Sequence, residues 1–414
     1  MTTQKNNHSH SLSYAAWQRI KKNKLAMLGC IIIGMCLTIA VLGYAITPDS
    51  TPDANNQLLE ISKKPPGFKV KMLQVRKNEP SHKVSFFYKM LFGEQSDFRP
   101  VPLSSYSFKD ENIICKEYNT ASKKETEIAF NLADVVYAVN TDSSIYSNLK
   151  EGTITFYELG SNQPVTKAIT ALKTQIEQQH LIEKKYVLGT DPSGRDLLSR
   201  LLLGTRVSFS VGFISVFISV FIGMLIGSVA GYYRGRVDAV IVWFINVVWA
   251  IPTLLLVIAI TLALGKGFWQ VFIAVGLTMW VEVARVIRGQ VLSLREKEFI
   301  EAGRALGFKN ARIIFRHVLP NVMGPVIVIA AANFASAILT EAGLSFLGIG
   351  SQPPTASWGA MISAHRGYII SDASYLAFLP GFAIALLVLS FVLLGNGLRD
   401  ALDTKSMDDD QMMI

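Results

Sequence analysis

Six apolar runs constrain this chain more than any other feature of its 414 residues. They cover 25–46, 207–233, 239–265, 267–284, 318–341 and 373–398. A membrane-spanning helix needs about 20 apolar residues with few or no charges. In water such runs would be surfaces with nowhere to hide; in lipid each helix satisfies its own backbone hydrogen bonds. The fourth run is short and reaches Ala284 only by including Glu282. Only 17% of all residues are charged, against about 25% in a soluble globular chain. The first run is longer than the apolar core of a secretory leader and lacks a small-residue cleavage site after it, so it reads as a retained anchor.

The Lys and Arg residues set the expected orientation. They gather in the N-terminal tail (Lys5, Arg19, Lys21, Lys22, Lys24), after run two (Arg234, Arg236), after run four (Arg285 to Arg316) and in the C-terminal tail (Arg399, Lys405). The loops after runs three and five carry only Lys266 and Arg366. With six spans all basic regions fall on one side, which makes both termini cytoplasmic. A five-span arrangement with a re-entrant fourth run is the alternative. The formal net charge of +9 is explained by these loops and does not call for nucleic acid.

These runs divide the chain into a cytoplasmic tail (1–24), the first span (25–46), an insert (47–186), a five-span core (187–403) and a second tail (404–414). The fold class expected is an all-α polytopic membrane protein with a small mixed α/β extracytoplasmic insert between spans one and two. In the insert, 153–158 and 134–139 have the β-branched and aromatic content of strands, and 168–180 looks helical. Pro65, Pro66 and Pro80 mark breaks. Cys30, Cys36 and Cys115 form no disulfide framework and no metal spacing.

The stretch VLGTDPSGRDLLSRLLLGTR (187–206) carries Asp191, Arg195 and Asp196. Thr190 or Asp191 can cap a helix opened by Pro192, with Leu197, Leu198, Leu201 and Leu202 as its apolar stripe. It is either a helix on the membrane surface leading into span two or a gate that meets an external partner. Glu341, near the end of span five, and the in-span Asn246 and Asn333 are costly at membrane depth. They are candidates for a translocation path; interhelical bonding is the competing reading for the two Asn. Gly343, Gly348, Gly350 and Pro353-Pro354 suggest a tightly turned segment, and Trp358 would suit the interface.

The stretch EFIEAGRALGFKNARIIFRHVLPN (298–321) is polar and basic between two spans. A helix over 291–306, a turn at Gly307 that tolerates positive φ, a second helix over 310–318 and a break before Pro320 describe a hairpin. Small residues Ala302, Gly303 and Ala305 would let another backbone approach, as helix-in-groove docking requires. No phosphate-binding loop, nucleophile elbow or metal-ligand cluster occurs. An enzyme is therefore not expected, and a pump would need an outside energy source.

This hairpin resembles the EAA loop of permeases in binding-protein-dependent ABC importers. Glu301-Ala302-Gly303, Gly307 and Leu319-Pro320 fall at the family's spacing, with Gly303 and His317 as departures. AIPTLLL, LSFLGIGSQPP, SWGAM and GNGLRDALD resemble the C-type permease of the oligopeptide/dipeptide/nickel branch. The resemblance covers 187–403 and the stretch from Trp17 through span one. It implies an inner-membrane heterodimer with a second permease, two ABC ATPase subunits that bind ATP and Mg, and an external substrate-binding protein. Glu301, Ala302, Gly303, Gly307, Leu319 and Pro320 would then couple ATPase closure to alternating access. The implied cargo is a di- or oligopeptide, with nickel chelates or another small solute as the alternative. A stand-alone ion-driven transporter and a membrane-anchored sensor are the rival classes; neither needs this motif.

Overall fold

The computed structural model describes residues 12–81, 84–118, 126–140, 145–265 and 267–402. Lys5, His8, His10, Lys266, Lys405 and the 404–414 tail lie outside the described residues. The chain divides into two compact units. One contains Met1–Ala40, Gly204–Ile369 and Ala377–Ile414; the other contains Val41–Leu203 with Ile370–Leu376.

The first unit is helical. Helix α1 (Leu12–Lys22) stops at Asn23, whose Oδ1 accepts from the Leu25 and Ala26 amides at 3.1 Å and so caps α2 (Lys24–Leu42). Among the described residues five helices are long and apolar enough to cross a membrane: Lys24–Ala45, Leu197–Tyr233, Phe268–Leu294, Asn310–Phe346 and Tyr375–Leu402.

The second unit is built mainly from the 41–203 stretch of the sequence. Its antiparallel five-stranded sheet has the order β4-β3-β2-β1-β8. It is built from β1 (Phe68–Arg76), β2 (Phe98–Lys109), β3 (Asn112–Glu117), β4 (Glu127–Asn131) and β8 (Leu181–Tyr186). Helix α3 (Phe86–Phe92) joins β1 to β2. Strands β5 (Tyr146–Asn148), β6 (Thr153–Tyr157) and β7 (Pro164–Ala168) form a smaller sheet. On β6 only alternate residues, Ile154 and Phe156, are fully buried, as the period of a strand requires. They share one core with Leu73, Val101, Leu132 and Leu172.

The 134–139 strand expectation fails. Leu132–Val136 is helix α4, capped by Asn131, whose side chain accepts from the Ala133 amide. The β-branched content there reports burial: Val135 and Val136 are buried, and burial rather than backbone preference is what strand propensity largely measures. Residues 169–180 are helical, as α5 (Ile169–Gln175) followed by a π-turn to His180.

The expected helix opening at Pro192 is also corrected. Helix α6 (Leu197–Tyr233) starts at Leu197 and continues through the second apolar run. Its cap is Asp196, which accepts from the Ser199 amide at 2.9 Å.

The third run is not one straight span. Helices α7 (Gly235–Trp249) and α8 (Thr253–Leu264) meet at a bend of 89°. Pro252 lacks the N–H that would continue the ladder, and its ring crowds the preceding turn. Helix α9 (Phe268–Leu294) extends ten residues past the expected end at 284. It packs on α6 along Gly223, Gly227 and Gly231. A Cβ on Gly227 would stand 2.5 Å from the Ala284 carbonyl oxygen. Small residues every fourth position are what lets membrane helices approach this closely.

Candidate functional site

The 291–306 helix expected from sequence is two helices. Chain α9 ends at Leu294, and α10 (Glu298–Ala305) begins anew after Lys297. At its end the Phe308 amide donates to the Gly303 carbonyl at 3.0 Å and the Gly307 amide to the Arg304 carbonyl at 2.9 Å. This is the Schellman pattern, with Gly307 at φ +75°.

The second arm is α11 (Asn310–Ile313), followed by a π-turn over Ile314–Val318 and by α12 (Leu319–Phe346). The expected break before Pro320 does not occur. The Leu319 amide donates five residues back, to the Ile314 carbonyl, and the wider turn makes room for a proline that can neither donate nor fit an α-turn.

The hairpin has two faces. Ile300, Ile313, Ile314 and Val318 are buried with Tyr232, Val291 and Leu319. Glu301, Ala302, Arg304, Ala305, Leu306, Gly307 and Pro320 are exposed, Leu306 by 72%. Gly303 is on the buried face, against the Phe308 ring and Ile313. It therefore closes the hairpin on itself and is not available to an approaching backbone, contrary to expectation. His317 stacks on Phe308 with ring centroids 5.9 Å apart, and the Arg312 guanidinium covers that ring at 4.2 Å.

Tyr232, at the end of α6, locks the hairpin in place. Its hydroxyl donates to Asn310 Oδ1 at 2.9 Å, and the guanidinium carbons of Arg304 and Arg295 stand 5.4 and 5.8 Å from its ring centroid. Arg295 also donates to the Tyr232 carbonyl. Arg288 on α9 holds Asp238 on α7 through two bonds of 2.5 and 2.7 Å. Sequence reading did not single out Tyr232, because an aromatic at a helix end gives no signal until its partners are folded around it.

The path candidates divide among several places. Glu341 is 1% exposed. Its Oε1 accepts from the Ser345 and Ser357 hydroxyls at 2.7 and 3.0 Å, and Ser351 lies at 3.5 Å. The carboxylate thus ties α12 to the turn that carries the cis Pro353-Pro354 bond and to α13 (Trp358–His365). Gly343 lies inside α12 and breaks nothing; Gly348, at φ +78°, makes the turn. Trp358 is buried, its ring so close to Gly204 that a Cβ there would clash at 2.4 Å. It is a packing residue and not an interface anchor, because the glycine opposite it receives the whole indole. Asn333 is 2% exposed, and its Nδ2 has no hydrogen-bond partner among the described residues. Asn246 is exposed and accepts from Arg285 at 3.3 Å.

Asp191, Arg195 and Asp196 belong to the other unit. Asp191 is fully buried and accepts from the Ser193 and Arg195 amides and, at 2.6 Å, from Arg195 Nε. Arg195 also donates to Asn55. Burial pushes the Asp196 carboxyl up, against the lowering effect of its bonds from Ser199. Asp191 and Arg195 help stitch 189–199 to the 49–64 segment: the Lys63 amide donates to the Asp191 carbonyl, Arg195 to Asn55, and beside them the Leu58 amide donates to the Ser193 carbonyl.

One cavity was not foreseen. It measures about 220 Å³ and lies at the α7–α8 bend, lined by Trp249, Thr253, Thr278, Glu282, Ser336 and Thr340. Three helices each place one or two polar side chains there, a convergence that spacing along one helix could not reveal. The last helix, α14 (Tyr375–Leu402), completes the unit.

A family model described as "Binding-protein-dependent transport system inner membrane component" matches residues 223–407. The dipeptide transport system permease protein of Alkalihalophilus pseudofirmus is 45% identical over 217 residues, 52% of this chain and 71% of that protein. The chain belongs to this permease family. A second model, the N-terminal TM domain of oligopeptide transport permease C, matches 11–66. The permease is also 39% identical to the oligopeptide transport system permease of Bacillus subtilis, over 54% of this chain and 72% of that one. It is 42% identical to a glutathione transport system permease of Pectobacterium atrosepticum, over 53% and 72%. A solved chain of the MetNI methionine ABC transporter in an inward facing form aligns at 19% identity and a TM-score of 0.42, over 50% of this chain and 98% of that one. As a permease of this family the protein is a multi-pass component of the inner membrane, and its role is transport rather than catalysis.

Proposed function

We propose that this permease is one of two membrane subunits of an ATP-driven importer for di- or oligopeptides. The other subunits are a second permease, two cytoplasmic ABC ATPases that bind ATP and Mg, and an extracytoplasmic substrate-binding protein. Counting the bent pair α7–α8 as one span gives six, and an even number returns both termini to one side. The Lys and Arg of the N-terminal segment and of 285–316 make that side the cytoplasm.

The observation that carries this reading is the two-faced hairpin over 298–318. Its inner face is packed on Tyr232, while Glu301, Ala302, Ala305 and Leu306 stand in solvent. A large apolar side chain exposed by 72% at the tip of a rigid helical hairpin is the form of a helix meant for a groove. Closure of the ATPases would push this hairpin, and Tyr232, Arg295 and Gly307 would pass the movement to α6 and α12. The peptide reading is supported by the names of the dipeptide and oligopeptide permeases it resembles.

Within this scheme the cavity around Glu282 is this chain's share of the path; Asn246 and Asn333 are not among the residues that line it. Glu341 acts by holding the 347–357 turn, and Asp191, Arg195 and Asp196 by bracing the segment before α6. The test uses Glu301→Lys and Gly307→Pro in the assembled transporter. Both variants should reach the membrane and leave ATP hydrolysis running while peptide uptake is lost. Normal uptake by both would overturn the coupling role.

A further inference from the structure

Helix α3 turns its apolar side chains outward. Phe86, Phe87, Tyr88 and Phe92 are 64, 70, 52 and 60% exposed, and none of the helix's residues is buried. The rings touch mainly one another: Phe86 and Phe87 at 5.9 Å, Tyr88 and Phe92 at 5.0 Å. The same unit keeps a closed core elsewhere, so this face is not a sign of poor packing. An apolar patch of this kind marks an interaction surface.

What lies beside α3 identifies the partner. The chain leaves α2 through a single turn, Gly43–Ala45, and α3 is seated next to it. A Cβ on Gly93, which ends α3, would stand 3.2 Å from the Tyr44 ring and 2.8 Å from the Ser50 carbonyl oxygen. The Glu94 amide donates to that same Ser50 carbonyl at 2.9 Å. Tyr44 is buried and accepts at its hydroxyl from the Asp53 amide at 2.8 Å. The span Lys24–Ala45 has 22 residues; at about 1.5 Å per residue it is about 33 Å long, close to the hydrocarbon thickness of a bilayer, roughly 30 Å. A span of that length would bring Tyr44 out near the headgroups, and α3 packs beside Tyr44. Tyr favours this depth, where its apolar ring and polar hydroxyl are both satisfied, and Phe belongs to the apolar face that interfacial helices bury at the acyl boundary. The one basic residue of α3, Lys89, is held by Glu94 at 2.6 Å.

We propose that α3 lies in the headgroup region of the bilayer on the side where the first span emerges, and that Phe86, Phe87, Tyr88 and Phe92 anchor the inserted unit to lipid. This rests on 24–45 crossing the membrane. A short helix with a fully apolar outer face lying in the interface plane is a known mode of membrane attachment. It also gives the insert a reason to keep four exposed aromatic rings within seven residues.

The test measures collisions of a nitroxide with oxygen, which concentrates in lipid, and with a nickel chelate, which stays in water. The label is attached in turn at Phe87→Cys and at Phe92→Cys in the full chain, purified with its native assembly in lipid nanodiscs. Cys30→Ala and Cys36→Ala remove the accessible native thiols; Cys115 is fully buried. Relative to the free nitroxide in buffer, both labels should shift toward oxygen collisions. A shift toward nickel would place α3 in water and overturn the proposal. Suppression of both collision rates would mean that a protein partner covers the helix, and would overturn it too. A label at Leu37→Cys, 48% exposed on α2, reads the underlying span separately: oxygen-dominated collisions are expected there whatever α3 does, and nickel-dominated ones would overturn the span itself.

Discussion

The Tyr232 hydroxyl donates to Asn310 Oδ1 at 2.9 Å, joining the end of α6 to the first turn of α11. Tyr232 is 4% exposed and Asn310 opens the second arm of the hairpin. The bond therefore ties a buried ring to the exposed element that would meet an ATPase. Tyr232→Phe removes one hydrogen bond and keeps the ring, so it should lower stability by about 1 kcal/mol. Uptake per ATP hydrolysed should fall further than that modest loss of stability suggests. Thermal unfolding in detergent and coupled uptake assays read the two effects apart.

Gly303 and Gly307 should respond oppositely to alanine. A Cβ on Gly303 would meet Phe308 at 3.5 Å, an ordinary contact, whereas Gly307 holds φ at +75°. A left-handed conformation disfavours an L side chain by roughly 1–2 kcal/mol. Gly303→Ala, which restores the commoner residue of the resembled motif, should raise the unfolding midpoint, since Gly in a helix costs about 1 kcal/mol against Ala, and leave uptake unchanged. Gly307→Ala should lower the midpoint. Equal midpoints for the two variants would contradict the geometry.

The Gly223, Gly227, Gly231 stripe makes a separate prediction about the membrane core. Gly227→Val places a branched side chain where even a Cβ would be 2.5 Å from a backbone carbonyl. The helices must separate, and a loss of about 1–3 kcal/mol follows. Gly235→Val, where nothing stands within 4 Å of the Cβ position, lacks this clash; its φ of +58° brings only local backbone strain. Monodispersity on gel filtration in detergent should be lost in the first variant and kept in the second.

Asp97 gives the inserted unit a defined acid dependence. The Ser81 hydroxyl at 2.6 Å and then Arg76 at 2.8 Å hold its carboxyl below the usual range. A depressed folded-state pKa contributes stability above the unfolded value, about 3.9, and loses it as pH falls through the folded value. Because the Asp97 side chain is 35% exposed, the contribution after solvent screening is below about 1 kcal/mol. The unfolding midpoint of Arg76→Ala should lie below that of the unsubstituted chain at pH 6, and the gap should close as pH is lowered toward 3.

Much of this protein was legible because lipid imposes a one-dimensional rule. Length and apolarity located five of the six expected runs as helices long enough to cross a membrane, since a helix in a bilayer needs no partner to satisfy its backbone; the third run proved to be a bent pair. Gly307 was legible for a similar reason: a sharp turn after a helix requires a residue that accepts positive φ, and that is a local demand. The spacing of Glu301, Gly307 and Leu319-Pro320 carried the family resemblance without any folding at all.

The chain's interactions across sequence were decided only in three dimensions. Pro252 and Pro320 are both prolines in apolar surroundings, yet one bends a span by 89° and the other is absorbed into a π-turn. The residue type alone does not tell the two outcomes apart. Asp191 and Glu341 read as gate and path residues from their polarity, but the first is spent on turn amides and Arg195, the second on serine hydroxyls. Tyr232 and the Glu282 cavity left no trace in local pattern. Each depends on residues far apart in sequence meeting at one place, and a burial or a hydrogen bond of that kind exists only once the chain is folded.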